Sequence, residues 1–246
     1  MFDFEVKIAQ GKLELEGAFR LRHEIFKLEM GSGHLHEDDS GFDKDAYDEI
    51  CDHLIVIDKT KDKIVGTYRF LRGLKVDKKL GFYCERFFDI SNIKRLSDGF
   101  EIVELGRSCI HRDYRSRPVI NLLWNGIAKY IKDYKIRYLF GATRLLSTQP
   151  DDVSRVFKFL KGKSYSESEF RVHPKPENVF RGLKKDIEIG NPREIIRMLP
   201  PLIKGYLRAG VKICGLPAVN TDLGSVVIFI LLDVEKMSRT YKKHFL

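Results

Sequence analysis

The feature that most constrains this chain is an apolar stretch that carries two opposite charges. Residues 100–110 read FEIVELGRSCI, a pattern typical of a core strand, with Glu104 before Gly106 and Arg107 after it. Side chains of a regular strand alternate between its two faces, so residues three apart point in opposite directions. A β-bulge near Gly106 would shift this alternation by one residue and turn both charges towards one site. The alternative is an edge strand with a surface ion pair.

Composition and charge narrow the class of protein. The chain has 246 residues, of which 43% are hydrophobic and 32% charged, a globular composition with material for a sizeable core. Its net charge of +9 predicts an acidic partner, such as nucleic acid, an anionic membrane face or an acidic protein. The four cysteines are widely spaced without a CxxC pair, which is typical of a reducing cytosol and predicts neither zinc nor disulfides.

No segment has the pattern of a signal peptide or of a membrane span. The amino terminus lacks a basic start and an apolar core segment, and the longest apolar run, residues 226–232, is far shorter than the ~20 residues that cross a bilayer. We therefore expect a cytoplasmic protein, held at the inner face of the membrane at most peripherally.

Apolar periodicity predicts an α/β protein. The predicted helix over 11–30 puts Ala18, Leu21, Ile25 and Leu28 on one apolar face. The expected strands are 4–8, 53–57, 64–71, 100–110, 138–142, 211–214 and 225–232, and the other expected helices are 120–134, 150–160 and 193–207, the last broken at Pro200-Pro201. A mixed twisted sheet with helices on both faces, in a single domain over 1–246 with a charged excursion at about 161–191, is the simplest arrangement of these elements.

The loop over residues 31–52 is rich in aspartate and histidine. Its spacing does not match a calcium-binding EF-hand, and His34 and His36 have no third ligand at a suitable distance along the chain. A solvated acidic loop is favoured over a metal site, and we expect no metal. The aspartates of this cluster are Asp38, Asp39, Asp43, Asp45, Asp48 and Asp52.

Four short motifs occur in an order that resembles a known family. They are Arg22-His23-Glu24-Ile25-Phe26, Asp45-Ala46-Tyr47-Asp48, Gly66-Thr67-Tyr68-Arg69 and Glu104-Leu105-Gly106-Arg107. In this order they resemble the signatures of acyl-homoserine-lactone synthases, which have the acyl-CoA N-acyltransferase (GNAT) fold. The segments 51–54, 104–108, 123–124 and 199–208 more closely resemble the ornithine-lipid (hemolysin-like) type of amino-acid N-acyltransferase. The resemblance extends over residues 15 to 245.

The resemblance implies a reaction and a set of site residues. It implies transfer of a long 3-hydroxyacyl group from acyl carrier protein or acyl-CoA to the α-amino group of an amino acid, ornithine by closest resemblance. Glycine and lysine are the alternative acceptors, and the product is a lyso-aminolipid. The donor is a co-substrate, so we expect no bound cofactor. Glu104 is the expected catalytic base, with His53 as an alternative. The expected substrate-binding residues are Arg22, Phe26, Asp45, Asp48, Arg69 and Arg107.

One departure from ordinary GNAT enzymes bears on the acyl donor. In those enzymes a glycine-rich turn after the fourth strand offers backbone N–H groups to the diphosphate of coenzyme A. Here Pro118 and Ile120 stand where small residues belong, and proline has no N–H to donate. This favours acyl carrier protein, an acidic partner for the basic turn. A solvated basic loop is the alternative. The expected docking residues are Arg112, Arg115 and Arg117.

Two alternative functions stay open, and one group of aromatic residues has two possible roles. A signal synthase of the acyl-homoserine-lactone type would use S-adenosylmethionine, but the Leu199-Pro200-Pro201 region argues against it. A basic module that binds nucleic acid or membrane would carry its cations as one stripe with interleaved aromatics, whereas here they are spread along the chain. We therefore expect no nucleic-acid partner. The aromatic residues Phe82, Phe87, Phe88 and Trp124 either hold the acyl tail or form a plain core.

Overall fold

A computed structural model describes residues 3–31, 40–96, 98–116 and 118–246, with Pro201 described by its backbone alone. Of the residues singled out above, His34, His36, Asp38, Asp39 and Arg117 lie outside the described residues.

The described residues form ten strands and seven α-helices. The strands are β1 Phe4–Ile8, β2 Asp52–Asp58, β3 Lys63–Arg72, β4 Phe88–Asp89, β5 Glu101–Ile110, β6 Ile136–Arg144, β7 His173–Pro174, β8 Lys212–Ile213, β9 Ala218–Asn220 and β10 Ser225–Asp233. The helices are α1 Gly11–Arg22, α2 Ser91–Leu96, α3 Val119–Tyr134, α4 Pro150–Ser164, α5 Pro192–Met198, α6 Pro201–Ala209 and α7 Arg239–Phe245.

The chain divides into two compact units, and the first contains the strand with the two charges. Unit 1 consists of residues 1–81, 103–136 and 245–246. Its strands pair antiparallel in the order β1-β2-β3-β5, and β2 and β3 form the predicted hairpin. α1 packs on one face of this sheet, where Phe19 contacts His53. α3 packs on the other, where Gly126 lies against Leu54. Helices therefore cover both faces of the unit 1 sheet, as expected.

The first helix changes its geometry halfway. α1 continues without interruption into a π-helical segment, His23–Glu29, so the helix predicted over 11–30 is confirmed in its extent. A π-helical turn contains more residues than an α-helical turn and shifts the phase of the side chains that follow. Leu21 and Ile25 are buried as predicted, but Leu28 is 69% exposed. The prediction that Leu28 shares their apolar face is therefore wrong.

The second unit has an aromatic core. Unit 2 consists of residues 82–102 and 137–244. In it β10 pairs antiparallel with β6, β8 and β9, while β4 and β7 form a separate pair. Phe140 stacks on Phe229, with ring centroids 5.6 Å apart, and each of these rings also contacts a residue of the 82–88 segment. Phe82 and Phe88 are buried in this cluster, so their packing is that of a core rather than of an open groove.

In unit 2, two prolines mark the break between helices α5 and α6. α5 ends at Met198 and α6 begins at Pro201, which confirms the predicted break at Pro200-Pro201. The excursion at 161–191 begins with the end of α4 and contains β7. Within the described ranges, no helix is long and apolar enough to cross a membrane. Assignment of 1–246 to a single domain stays a prediction.

Candidate active site

A β-bulge interrupts the pairing of β5 with β3, close to where the sequence predicts it. Arg69 pairs with Gly106, but Thr67 pairs with Cys109, so β5 contains one residue more than β3 over this interval. Arg107 itself has φ of 49°, a left-handed conformation that non-glycine residues rarely adopt. The bulge is therefore centred just after Gly106, and it changes the direction in which Arg107 leaves the strand.

Glu104 lies on the same face of the sheet as Arg69. In the β3–β5 register Arg69 is opposite Gly106 and Leu71 is opposite Glu104, and residues opposite each other point to one face. The Glu104 side chain is buried, with 4% of the residue exposed. A Cβ atom added at Gly106 would have no neighbour within 4 Å. The glycine thus leaves an open space beside Glu104 and Arg69, and we take this space as the candidate acceptor cleft.

Next to this space, three arginines and three aspartates form one ion-pair network. Arg22 is fully buried and donates from Nη1 to Asp48 Oδ1 at 2.7 Å and from Nη2 to Asp48 Oδ2 at 3.0 Å. Its Nε also donates to Asp43 Oδ1 at 2.8 Å. Because two parallel N–H groups bind one carboxylate, the Arg22–Asp48 pair has the bidentate geometry that is strongest for these groups.

Arg69 and Arg107 extend the network towards β5. Arg69 Nη1 donates to Asp45 Oδ1 at 2.5 Å and to Asp48 Oδ1 at 3.0 Å. Arg107 Nη2 donates to the other oxygen of Asp45 at 3.0 Å, and Arg107 Nη1 lies 3.5 Å from Asp43 Oδ2. The bulge at Arg107 is what allows this side chain to join a network on the face of Arg69.

The spacing of the Asp45-Ala46-Tyr47-Asp48 motif fixes both of its carboxylates. These residues begin a 3₁₀-helix, Ala46–Glu49, in which Asp45 Oδ1 accepts from Tyr47 N at 3.0 Å and Asp48 Oδ2 accepts from Asp45 N at 2.8 Å. This reciprocal capping orients the two side chains independently of their ion pairs with the arginines. The Tyr47 ring lies 5.4 Å from the Arg69 guanidinium carbon and adds a cation–π contact.

The network keeps its members charged although they are buried. Burial alone would raise the pKa of the Asp48 carboxyl, but hydrogen bonds and charge from Arg22 and the charge of Arg69 outweigh it and lower the pKa. The pKa of Asp45 is lowered for the same reason, with Arg69 and Arg107 opposing its burial and the charge of Asp48. Burial would lower the pKa of Arg69, yet the charges of Asp45 and Asp48 raise it.

Two further titratable side chains adjoin the network. Burial lowers the pKa of His53, which outweighs the attraction of Asp48, so this imidazole is neutral near pH 7. Its Nε2 lies 3.4 Å from the Asp48 carbonyl oxygen, and its buried Nδ1 has no hydrogen-bond partner among the described residues. Burial, together with the charges of Asp48 and Glu104, raises the pKa of the Cys51 thiol to about 12. Cys51 is therefore a thiol rather than a nucleophilic thiolate.

Most of the expected site residues come together in unit 1, and one participant was not expected. Arg22, Asp45, Asp48, Arg69 and Arg107 are joined by the bonds above, and Phe26 lies with its ring centroid 6.0 Å from the Arg107 guanidinium carbon. Asp43 was noted only as part of an acidic cluster, yet it binds Arg22. Its position in the sequence is the signal that points to it. Asp43 lies two residues before Asp45, on the loop that leads to the arginine-binding Asp45 and Asp48.

The expected docking turn is less available than its sequence suggests. Arg115 forms a bidentate pair with Glu29, at 2.6 and 2.8 Å. Arg112 is 71% exposed, and its Nε lies 3.8 Å from Asp113 Oδ1. Within the described ranges, no group of three or more His, Cys, Asp or Glu side chains is arranged to hold a metal ion.

Comparison with known proteins assigns the family. A family model described as an acetyltransferase (GNAT) domain matches residues 21–125. An L-ornithine N(alpha)-acyltransferase of Brucella abortus (strain 2308) is 31% identical over 98% of this chain and 88% of its own length. Among solved structures, FeeM, an N-acyl amino acid synthase from uncultured soil microbes, has a TM-score of 0.56 at 10% identity, over 100% of this chain and 97% of its own.

A second solved structure agrees in fold. The CoA-dependent acyl-homoserine lactone synthase BjaI has a TM-score of 0.51 at 17% identity, covering 93% of this chain and 78% of its own. At these identities the two structures show the fold alone, which is the GNAT fold that the motifs predicted. The extent of the sequence match decides the family: this chain belongs to the L-ornithine N(alpha)-acyltransferase family and is an acyltransferase.

Proposed function

We propose that this chain transfers a long 3-hydroxyacyl group from acyl carrier protein to the α-amino group of ornithine, which yields a lyso-aminolipid. The observation that carries the proposal is the buried carboxylate of Glu104, which borders an open space on the same sheet face as Arg69. The relatives named for N-acylation of ornithine support the choice of acceptor.

The proposed chemistry needs one base and no covalent enzyme intermediate. An α-amino group is mostly protonated near pH 7, and only the neutral amine attacks a thioester. Glu104 takes one proton from the ammonium, directly or through a water, and passes it to solvent; it then accepts a second proton as the nitrogen of the neutral amine bonds to the carbonyl carbon. The carbon–sulfur bond then breaks, and the carrier leaves as a thiol with the proton that Glu104 returns. Backbone N–H groups at the bulge, residues 107–108, stabilise the oxyanion.

The ion-pair network has a positioning role in this proposal. Its three arginines and three aspartates balance in charge, so most of their bonding capacity is used within the protein. Arg107 is the most exposed of the arginines, with 12% of its side chain accessible against 5% for Arg69 and none for Arg22. We assign Arg107 the contact with the carboxylate of ornithine, because guanidinium binds carboxylates in a planar, oriented manner. Phe26 packs beside it.

The donor site is proposed at the turn that follows β5. Arg112 lies two residues beyond the end of this strand and is well exposed, which suits electrostatic contact with the acidic carrier. Arg115 joins the contact by exchanging Glu29 for a carboxylate of the carrier. Pro118 is the residue before α3 and offers no N–H to a diphosphate, which supports the carrier over coenzyme A. We place the reaction in the cytoplasm.

The test is acyl transfer with purified components. The protein is incubated with 3-hydroxyacyl carrier protein or 3-hydroxyacyl-CoA and with ornithine, glycine, lysine or S-adenosylmethionine, and the products are identified by mass spectrometry. We expect N-acylornithine, formed faster from the carrier protein. A product from S-adenosylmethionine alone would support a signal synthase of the acyl-homoserine-lactone type, a class with a solved structure that is similar in fold to this chain. Absence of every acylated amine with both donors would contradict the proposal.

A further inference from the structure

The net positive charge of the chain is concentrated in one unit. Unit 1 contains 21 Lys and Arg against 20 Asp and Glu, whereas unit 2 contains 23 against 15. The unit that carries the ion-pair network is thus almost neutral. An acidic partner attracted by the overall charge is attracted mainly by unit 2.

Within unit 2, cations gather where α6 and α7 approach each other. The backbone N–H of Ser238 donates to the Ala209 carbonyl at 2.9 Å, so Arg208 of α6 and Arg239, the first residue of α7, are the sequence neighbours of two bonded residues. On α7, Arg239, Lys242 and Lys243 follow at i, i+3 and i+4 and therefore share a face. We call this the α6–α7 surface; its cations are Lys204, Arg208, Lys236, Arg239, Lys242 and Lys243.

The α6–α7 surface is short of acidic partners. Neither helix contains an acidic residue, and the intervening Glu235 is bound by Arg137. Lys236 makes a long pair of 3.7 Å with Glu167. Within the described ranges, none of the other five cations has a carboxylate within ion-pair distance. This contrasts with the turn after β5, where Arg115 is already bound by Glu29.

α7 also borders an open, mostly apolar concave surface whose rim carries cations. The concavity is lined by Arg239, Thr240, Lys243 and His244, which offer two permanent cations and further hydrogen-bond donors. Such a set is suited to the phosphodiester of a lipid headgroup, with the neighbouring cations facing other headgroups of the same leaflet.

We propose that the α6–α7 surface binds an anionic phospholipid membrane. The choice of occupant rests on the proposed function, because a lyso-aminolipid has one acyl chain and a charged head and partitions into a bilayer after release. The proposed function already assigns the carrier protein to the turn after β5, where Arg112 and Arg115 lie. A bilayer surface does not require its cations to lie at that turn.

The test measures vesicle binding of the full chain without substrates. Co-sedimentation is compared for vesicles of phosphatidylcholine with and without phosphatidylglycerol, at low and at high salt. We expect binding only with phosphatidylglycerol and its loss at high salt. The triple variant Arg208→Gln, Arg239→Gln, Lys243→Gln should bind roughly 100-fold more weakly, since each cation near an anionic surface contributes about five-fold.

The matched control removes the same charge elsewhere in unit 2. Lys161→Gln, Lys163→Gln, Lys185→Gln neutralises three exposed lysines and should bind almost as the parent does. Circular dichroism and acyl transfer from a soluble donor verify that each variant folds. Equal loss in both triple variants would overturn the proposal, as would binding to phosphatidylcholine alone. The proposal would also be overturned if the Arg208, Arg239 and Lys243 triple variant lost affinity for acyl carrier protein but kept vesicle binding. Failure of the proposed function would appear instead as absent acyl transfer with vesicle binding intact.

Discussion

Two arginine–carboxylate pairs in unit 1 have nearly the same geometry and opposite surroundings. Arg22 binds Asp48 through two hydrogen bonds of 2.7 and 3.0 Å, and Arg115 binds Glu29 through two of 2.6 and 2.8 Å. Both side chains of the first pair are inaccessible to water, whereas those of the second are 47% and 35% exposed. The first pair lies inside the ion-pair network of the site, whereas the second is accessible to solvent and, in the proposed function, exchanges Glu29 for a carboxylate of the carrier.

Removing the carboxylate from each pair should show the largest difference between the two pairs in their contribution to stability. Asp48→Asn leaves Arg22 and Arg69 in the interior without that negative charge, and we expect the free energy of unfolding to fall by about 3–5 kcal/mol. The matched variant Glu29→Gln should change it by no more than about 1 kcal/mol, because water replaces the lost partner of Arg115. Urea unfolding measures both. Similar losses in the two variants would show that burial does not distinguish the pairs.

Acid should also lower the free energy of unfolding through the buried Arg22–Asp48 pair, but by less than the Asp48→Asn substitution does. Because the pKa of Asp48 is lowered in the folded protein, its contribution to stability is complete above the ordinary carboxyl pKa of about 4. Below that pH the unfolded chain takes up the proton first, so the free energy of unfolding should decline progressively as the pH falls. This decline should be shallower in Asp48→Asn than in the parent. An unchanged slope would argue that Asp48 is not the carboxylate responsible.

The exposed turn should respond in affinity for the donor rather than in stability. Arg112→Glu is expected to raise the KM for acyl carrier protein several-fold, because it reverses a charge that approaches the acidic carrier. Arg115→Gln should have a smaller effect, since Glu29 already neutralises that guanidinium. The KM for ornithine serves as the internal control and should stay constant in both variants. Equal KM values for the carrier in parent and Arg112→Glu would remove the docking assignment.

Local pattern was enough to predict the parts of the site that depend on neighbours in sequence. The extent of β1, the hairpin of β2 and β3, and a bulge next to Gly106 follow from alternation and from a glycine between charges. The resemblance of the Asp45-Ala46-Tyr47-Asp48 motif implies a joint role for its two aspartates, which are three positions apart, the spacing that reciprocal capping requires.

The remaining features depend on contacts that the sequence does not encode locally. Glu29 and Arg115 are 86 residues apart, so nothing near Arg115 indicates that its charge is neutralised. The exposure of Leu28 follows from the π-helical turns before it, and periodicity assumes a constant number of residues per turn. Asp43 joins the network because the loop brings it to Arg22, a contact that an acidic composition alone does not distinguish from solvation.

The central claim is that Glu104 is the base that prepares the amine, and Glu104→Gln tests it most directly. The amide has the shape of the carboxylate but cannot accept the proton. With 3-hydroxyacyl carrier protein and ornithine as substrates, we expect kcat to fall by about 10²–10⁴-fold. The KM for ornithine and the urea midpoint should stay near those of the parent. N-acylornithine formed by this variant at the parental rate would contradict the account.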